Sequence, residues 1–161
     1  YEAGEKGLAK FVSRGDNSGT HVRELSIWKL TNLDPHGREW YVESGTGMSE
    51  TLLIANELRA YTLSDIGTYL KLRTDGKIDL EPLVSRGDIL INIYSVYLVN
   101  PSKISGVNYE VAKMFKEFVT SDEGQELIGS YGVSKYGQPP FLPAKGKYDE
   151  LKKIWVELSK S

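Results

Sequence analysis

Apolar positions along this chain recur with two alternating spacings, and the alternation predicts strands and helices in turn. Residues 1–10 read as a short amphipathic helix, with Ala3, Leu8 and Ala9 apolar against Glu2 and Lys6. An apolar strand is expected at 11–13, followed by Asp16-Asn17-Ser18-Gly19 as turn and helix cap. Val22, Leu25, Ile27, Trp28 and Leu30 then mark the apolar stripe of a helix. A loop at 31–39, carrying Pro35 and Gly37, leads to a second strand at 40–43. After Gly45-Thr46-Gly47-Met48-Ser49 the helical spacing returns through Leu52, Leu53, Ala55 and Leu58.

A third strand is expected at 60–63, with Ser64-Asp65 capping a helix that runs through Leu72. The stretches 80–84 and 90–99 are the longest β-prone runs, the second ending at Asn100-Pro101. Beyond Pro101 the pattern is helical: 109–119 behind an Asn108 cap, then 121–131. The prolines at 139, 140 and 143 make 137–143 an extended loop. A closing amphipathic helix at 148–159 rests on Leu151, Ile154, Trp155 and Leu158. Strands alternating with helices imply an α/β fold with a largely parallel sheet.

Composition narrows the function classes. The 161 residues hold 20 Lys+Arg against 22 Asp+Glu, a net charge of −2. That balance argues against a nucleic-acid or anionic-membrane surface, which needs a concentrated basic footprint. The chain has no cysteine, hence no disulfide, thiolate nucleophile or Cys-based zinc site. No run approaches the roughly 18 apolar residues of a membrane span. The opening residues lack the pattern of a natural start or signal peptide, and they predict a chain cut from a longer polypeptide.

The best candidate chemistry lies in Phe11-Val12-Ser13-Arg14-Gly15-Asp16-Asn17-Ser18-Gly19-Thr20-His21. A strand ends in an arginine, a glycine-containing turn follows, and Ser18-Gly19-Thr20 opens a helix. Free N–H groups and the positive end of a helix dipole there would face one anion. Arg14 adds a planar fork of charged donors. The same residues read equally as a plain helix cap at Ser18 and a surface ion pair between Arg14 and Asp16. Gly45 to Ser49 repeats the pattern, with Gly47 and Met48 opening a helix, and Asp65 opens another, where a capping role reads better than a ligand role. In an open α/β sheet all three turns lie beyond the carboxyl ends of the strands, where ligands sit. His21 and His36 belong to no metal-ligand spacing, and His21 makes a poor base at a helix start. No nucleophile elbow or phosphate-binding loop is present, so no catalytic residue is assigned. Ser-Arg-Gly-Asp recurs at 13–16 and 85–88 with unlike flanks, which reads as coincidence.

Residues 11–20, with Gly45-Thr46-Gly47-Met48-Ser49-Glu50-Thr51-Leu52 and Ala60-Tyr61-Thr62-Leu63-Ser64-Asp65-Ile66-Gly67-Thr68-Tyr69-Leu70, resemble the tungstate-binding (TupA-type) component of ABC transporters. Asn92-Ile93-Tyr94-Ser95-Val96, Val99-Asn100-Pro101 and Thr120-Ser121-Asp122-Glu123-Gly124-Gln125 extend the resemblance over nearly the whole chain, in order. It implies the type II periplasmic-binding-protein fold, in which two α/β lobes clamp an oxyanion. It implies Arg14, Ser18, Gly19 and Thr20 as anion ligands, with Ser13, Asp16, Gly47, Met48 and Asp65 in support. It further implies no metal and no cofactor, tungstate or molybdate as ligand, a membrane permease of an ABC importer as partner, and an extracytoplasmic location. Related phosphate-binding proteins share an Arg-x-Asp-x-Ser-Gly-Thr pattern whose Asp accepts the proton of hydrogen phosphate. Asp16 stands at that spacing, so phosphate stays open, as do sulfate and an oxyanion-sensing domain of a regulator or molybdenum-cofactor protein.

Members of that family carry about half a lobe more ahead of the equivalent of Tyr1. Residues 1–92 are therefore expected to form the second lobe and 93–161 the crossover strand and helices of an incomplete first lobe. Leu127, Ile128, Phe141, Leu151, Ile154 and Trp155 would then face outward, with a homodimer or domain swap to cover them.

Overall fold

Three short strands, β1 (Phe11–Ser13), β2 (Tyr41–Glu43) and β3 (Tyr61–Thr62), pair in the order β2-β1-β3. Both pairings are parallel, with Phe11 opposite Tyr41 and Tyr61. The structure, a computed structural model, describes residues 1–159. Residues 160 and 161, the end of the expected second segment, lie outside the described residues. The chain divides into two compact units, Tyr1–Leu90 and a second beginning at Ile91.

In the first unit each strand feeds a helix: β1 leads to α2 (Gly19–Leu30), β2 to α3 (Met48–Leu58) and β3 to α4 (Ile66–Thr74). A one-turn helix α1 (Glu2–Glu5) precedes them, shorter than the 1–10 segment expected. Central β1 is the most enclosed strand, and Val12 is fully buried against Ala55 and Ala60. Met48, Leu52, Leu72 and Ile78 make a second core patch, and Leu80 packs on both. The opposite side of the sheet carries aromatic rings: Trp28 meets Phe11 edge-on with centroids 5.5 Å apart, and Tyr1 meets Trp40 at 5.2 Å. Gly4 lies directly against the Trp40 ring, so any Cβ there would overlap it. Gly4→Ala would stabilise an exposed helix by about 1 kcal/mol. Here the expected result is the reverse, a loss of about 1–3 kcal/mol from overpacking, measured by thermal unfolding; a stabilised variant would contradict it.

The β-prone runs at 80–84 and 90–99 are not strands. Residues 80–87 have no helix or strand, Asp88–Leu90 is a single 3₁₀ turn, and 91–100 carry no regular structure. Their composition is strand-like, but a strand is fixed by a hydrogen-bonded neighbour, and no described strand pairs with them. Tyr94, Val96, Tyr97 and Val99 are accordingly exposed.

The second unit is helical: α5 (Tyr109–Thr120), α6 (Asp122–Ser130), the unanticipated single turn α7 (Val133–Tyr136) and α8 (Tyr148–Leu158). Ser121 ends α5 and caps α6, its hydroxyl accepting the Gly124 N–H at 3.1 Å. Buried Gln125 ties this pair to the expected proline loop. Its amide donates to the Val119 carbonyl at 2.7 Å and accepts the N–H of Ala144 at 2.7 Å. On α5, Val111, Met114, Phe115 and Phe118 share one face and are exposed. Of the six residues expected to face outward, Leu127, Phe141 and Trp155 do, and Ile128 and Leu151 are half-buried. Ile154 departs from the expectation: it is buried.

Candidate oxyanion site

Because the strands are parallel, the three strand-to-helix turns open on one edge of the sheet. The β1–α2 turn is shaped by backbone in the left-handed region at Gly15 (φ +62°) and Asn17 (φ +57°). At Gly15 a Cβ would stand 2.9 Å from Glu43 Cβ, so glycine answers both the backbone angle and the crowding. Asp16 Oδ1 accepts the Ser18 N–H at 3.1 Å, and Ser18 Oγ in turn accepts the His21 N–H at 3.4 Å. Helix α2 therefore begins at Gly19, earlier than the apolar stripe alone suggested. Among the described residues, the N–H groups of Gly19 and Thr20 have no acceptor, and neither does the Thr20 hydroxyl.

Arg14 leaves the end of β1 and donates from Nη2 to Asp16 Oδ2 at 2.5 Å. Its Nε is buried without a partner. Hydrogen bonding to Ser18, then the Arg14 charge, holds the Asp16 carboxyl below its ordinary value, so Asp16 is a carboxylate at neutral pH. The ion pair and the cap anticipated at Arg14, Asp16 and Ser18 thus both form, and they leave orphaned donors beside them.

The other sequence candidates are sorted by the structure. Ser13 is buried and donates to Glu24 Oε2 at 2.6 Å, beneath the turn rather than at its surface. Gly47 caps α3 without a side-chain bond, so the first N–H groups of α3 are uncapped at the same edge. The Met48 side chain is buried in the core with Leu52, Leu72 and Ile78, leaving only its backbone at the edge. Asp65 is a helix cap, accepting the Thr68 N–H at 2.8 Å and the Thr68 hydroxyl at 2.8 Å and 3.0 Å. That is the capping role the sequence favoured there.

Two features were not anticipated from the sequence. Ser44 braces the turns to one another: its N–H donates to the Ser13 carbonyl at 2.9 Å, and its hydroxyl lies 2.8 Å from Thr51 Oγ1. Gly45 N–H also donates to the Arg14 carbonyl at 2.9 Å. Beneath β1, the Glu24 carboxylate is 4 % exposed and accepts three neutral donors: Ser13 at 2.6 Å, Tyr41 at 2.7 Å and Trp28 at 3.0 Å. Only the i, i+4 relation of Glu24 to Trp28 was visible in one dimension.

An arginine and helix-start N–H groups left without acceptors at the carboxyl edge of a parallel sheet can hold a small anion. A family model described as a PBP superfamily domain matches residues 2–123. The chain belongs to the PBP superfamily. Within that superfamily, 138 residues are 45 % identical to the tungstate-binding protein TupA of Peptoclostridium acidaminophilum, covering 86 % of this chain and 47 % of the relative. The solved tungstate-binding protein TupA of Desulfovibrio alaskensis G20 superposes with a TM-score of 0.68 at 38 % identity, covering 86 % of this chain and 56 % of the other. The tungstate ABC transporter structure from Geobacter sulfurreducens gives a TM-score of 0.63 at 40 % identity, covering 78 % and 52 %. This PBP-superfamily chain spans about half the length of the curated relatives it matches.

Proposed function

We propose that this chain is the oxyanion-holding part of a solute-binding protein that captures tungstate, and also molybdate, for an ABC importer. The observation that carries the reading is the excess of donors around the β1–α2 turn. The N–H groups of Gly19 and Thr20, the Thr20 hydroxyl and Arg14 Nε all lack an acceptor among the described residues. Ser18 and Asp16 shape the turn, and Arg14 supplies the one charge. The related tungstate-binding proteins give the reading its ligand class. The reaction is binding without chemistry: the anion exchanges its water for fixed donors, and closure of the other lobe over it would strengthen each bond by excluding solvent. In that arrangement residues 1–92 serve as the lobe carrying the anion turn, and 93–161 as the return into the other lobe. The partner would be a membrane permease and the location extracytoplasmic.

Phosphate is the second reading, favoured by the Asp16 carboxylate standing 2.5 Å from the Arg14 guanidinium. A carboxylate accepts the proton of hydrogen phosphate but has nothing to accept from a fully deprotonated dianion. Titration calorimetry of the chain with sodium tungstate, molybdate, phosphate and sulfate decides between them. Tungstate and molybdate are expected to bind at least tenfold more tightly than phosphate and sulfate. Preference for phosphate selects the second reading, and no heat with any of the four overturns both.

A further inference from the structure

Helix α2 packs on the sheet through one face, marked by His21, Glu24 and Trp28 at spacings of three and four. The contacts along that face run antiparallel to β1. Trp28 lies against Phe11 at the start of the strand, and Glu24 receives the Ser13 hydroxyl at its end. His21 is nearly one helical turn, roughly 5 Å, further toward the start of α2, and so stands past the carboxyl end of β1. Its ring is pinned there by the turn itself: the Asn17 N–H donates to Nδ1 at 3.0 Å. A nitrogen that accepts an N–H carries no proton, so the neutral ring bears its hydrogen on Nε2. Residue His21 is only 5 % exposed, and Nε2 is buried with no hydrogen-bond partner. An orphaned buried donor costs about 1–3 kcal/mol, so its persistence calls for an acceptor that arrives later. The Nε of Arg14, in the same turn, is orphaned in the same way.

We infer that His21 Nε2–H is a further donor of the oxyanion site, completing with Arg14 and the start of α2 a set that holds the anion from the sheet side. The inference rests on the oxyanion-binding reading and adds one ligand to it. A neutral imidazole suits this place. It donates one hydrogen bond without adding a cation at the positive end of a helix dipole, and it keeps the left-handed Asn17 turn in register.

Two substitutions separate donation from scaffolding. His21→Asn can place an amide oxygen near the position of Nδ1, keeping an acceptor for Asn17, but offers nothing at the position of Nε2. His21→Gln can place an amide N–H near the position of Nε2. Titration calorimetry with sodium tungstate on the unsubstituted chain, His21→Asn and His21→Gln, alongside ligand-free thermal unfolding of each, gives the test. The expected result is a fivefold or greater loss of affinity in His21→Asn with a melting temperature close to that of the parent, and recovery to within about threefold in His21→Gln. Equal affinity in the parent and His21→Asn overturns the inference and leaves the proposed function standing. So does an affinity loss in both variants that only follows their unfolding. A parent chain that binds no tungstate overturns the proposed function and this inference together.

Discussion

Glu24→Ala is expected to cost the first unit about 3–5 kcal/mol, because it strands two buried donors and a half-buried one in a single step. The carboxylate accepts from the Ser13 hydroxyl, the Tyr41 phenol and the Trp28 indole, and all three bonds lie between 2.6 and 3.0 Å. Each buried donor left without an acceptor costs about 1–3 kcal/mol. The three share one acceptor group, so the losses couple and the total falls short of a simple sum. For a unit of this size the melting temperature should drop by at least about 12 °C. Near-ultraviolet circular dichroism, which reports on Trp28 and Tyr41 themselves, follows the transition; a shift of under 3 °C would refute the assignment. Tyr41→Phe removes one donor and leaves the carboxylate with two, so a loss nearer 1 kcal/mol is expected. That variant also tests pH. Burial, reinforced by the Glu24 carboxylate and opposed by hydrogen bonding with Ser13, holds the Tyr41 phenol well above its ordinary value. Its contribution is complete below the unfolded-state value of about 10 and is lost as the pH rises beyond it. Above pH 10 the parent should therefore lose stability faster than Tyr41→Phe.

The turns were legible in the sequence because their signals are local. Ser18 before Gly19-Thr20, Gly47 before Met48 and Asp65 before Ile66 each announce a helix start within a few residues, and all three open helices. Parallel pairing followed from the alternation of elements, and with it the convergence of the turns on one edge. The run at 90–99 failed for the opposite reason. Its residues favour a strand, but whether they form one depends on a neighbour that a single stretch does not encode. Glu24 was hidden because a lone glutamate on a helix reads as a solvated residue, and only the placement of Ser13 and Tyr41 on adjacent strands turns it into an acceptor hub. His21 was judged as a base and found wanting. The property that matters is its buried donor, which depends on a bond to Asn17 four residues earlier.

Arg14→Ala is expected to weaken tungstate binding at least tenfold, on the order of 1.4 kcal/mol or more. The other donors proposed at the β1–α2 turn are neutral. Charge-assisted bonds are roughly twice as strong as neutral ones, and a planar guanidinium can engage two oxygens of a tetrahedral anion at once. The loss has a second component. Arg14 donates to Asp16 at 2.5 Å, so its removal leaves that carboxylate facing the anion with its charge uncompensated. The double variant Arg14→Ala/Asp16→Ala should accordingly bind better than Arg14→Ala alone, although not as well as the parent. Arg14→Lys keeps the charge but loses the fork and the orphaned Nε, and an intermediate affinity is expected. Losing the half-buried ion pair is offset by removing the orphaned Nε, so ligand-free melting temperatures should stay within about 3 °C of the parent across the series. Calorimetry that finds Arg14→Ala as tight as the parent would remove the charge from the site and leave the turn as a helix cap alone.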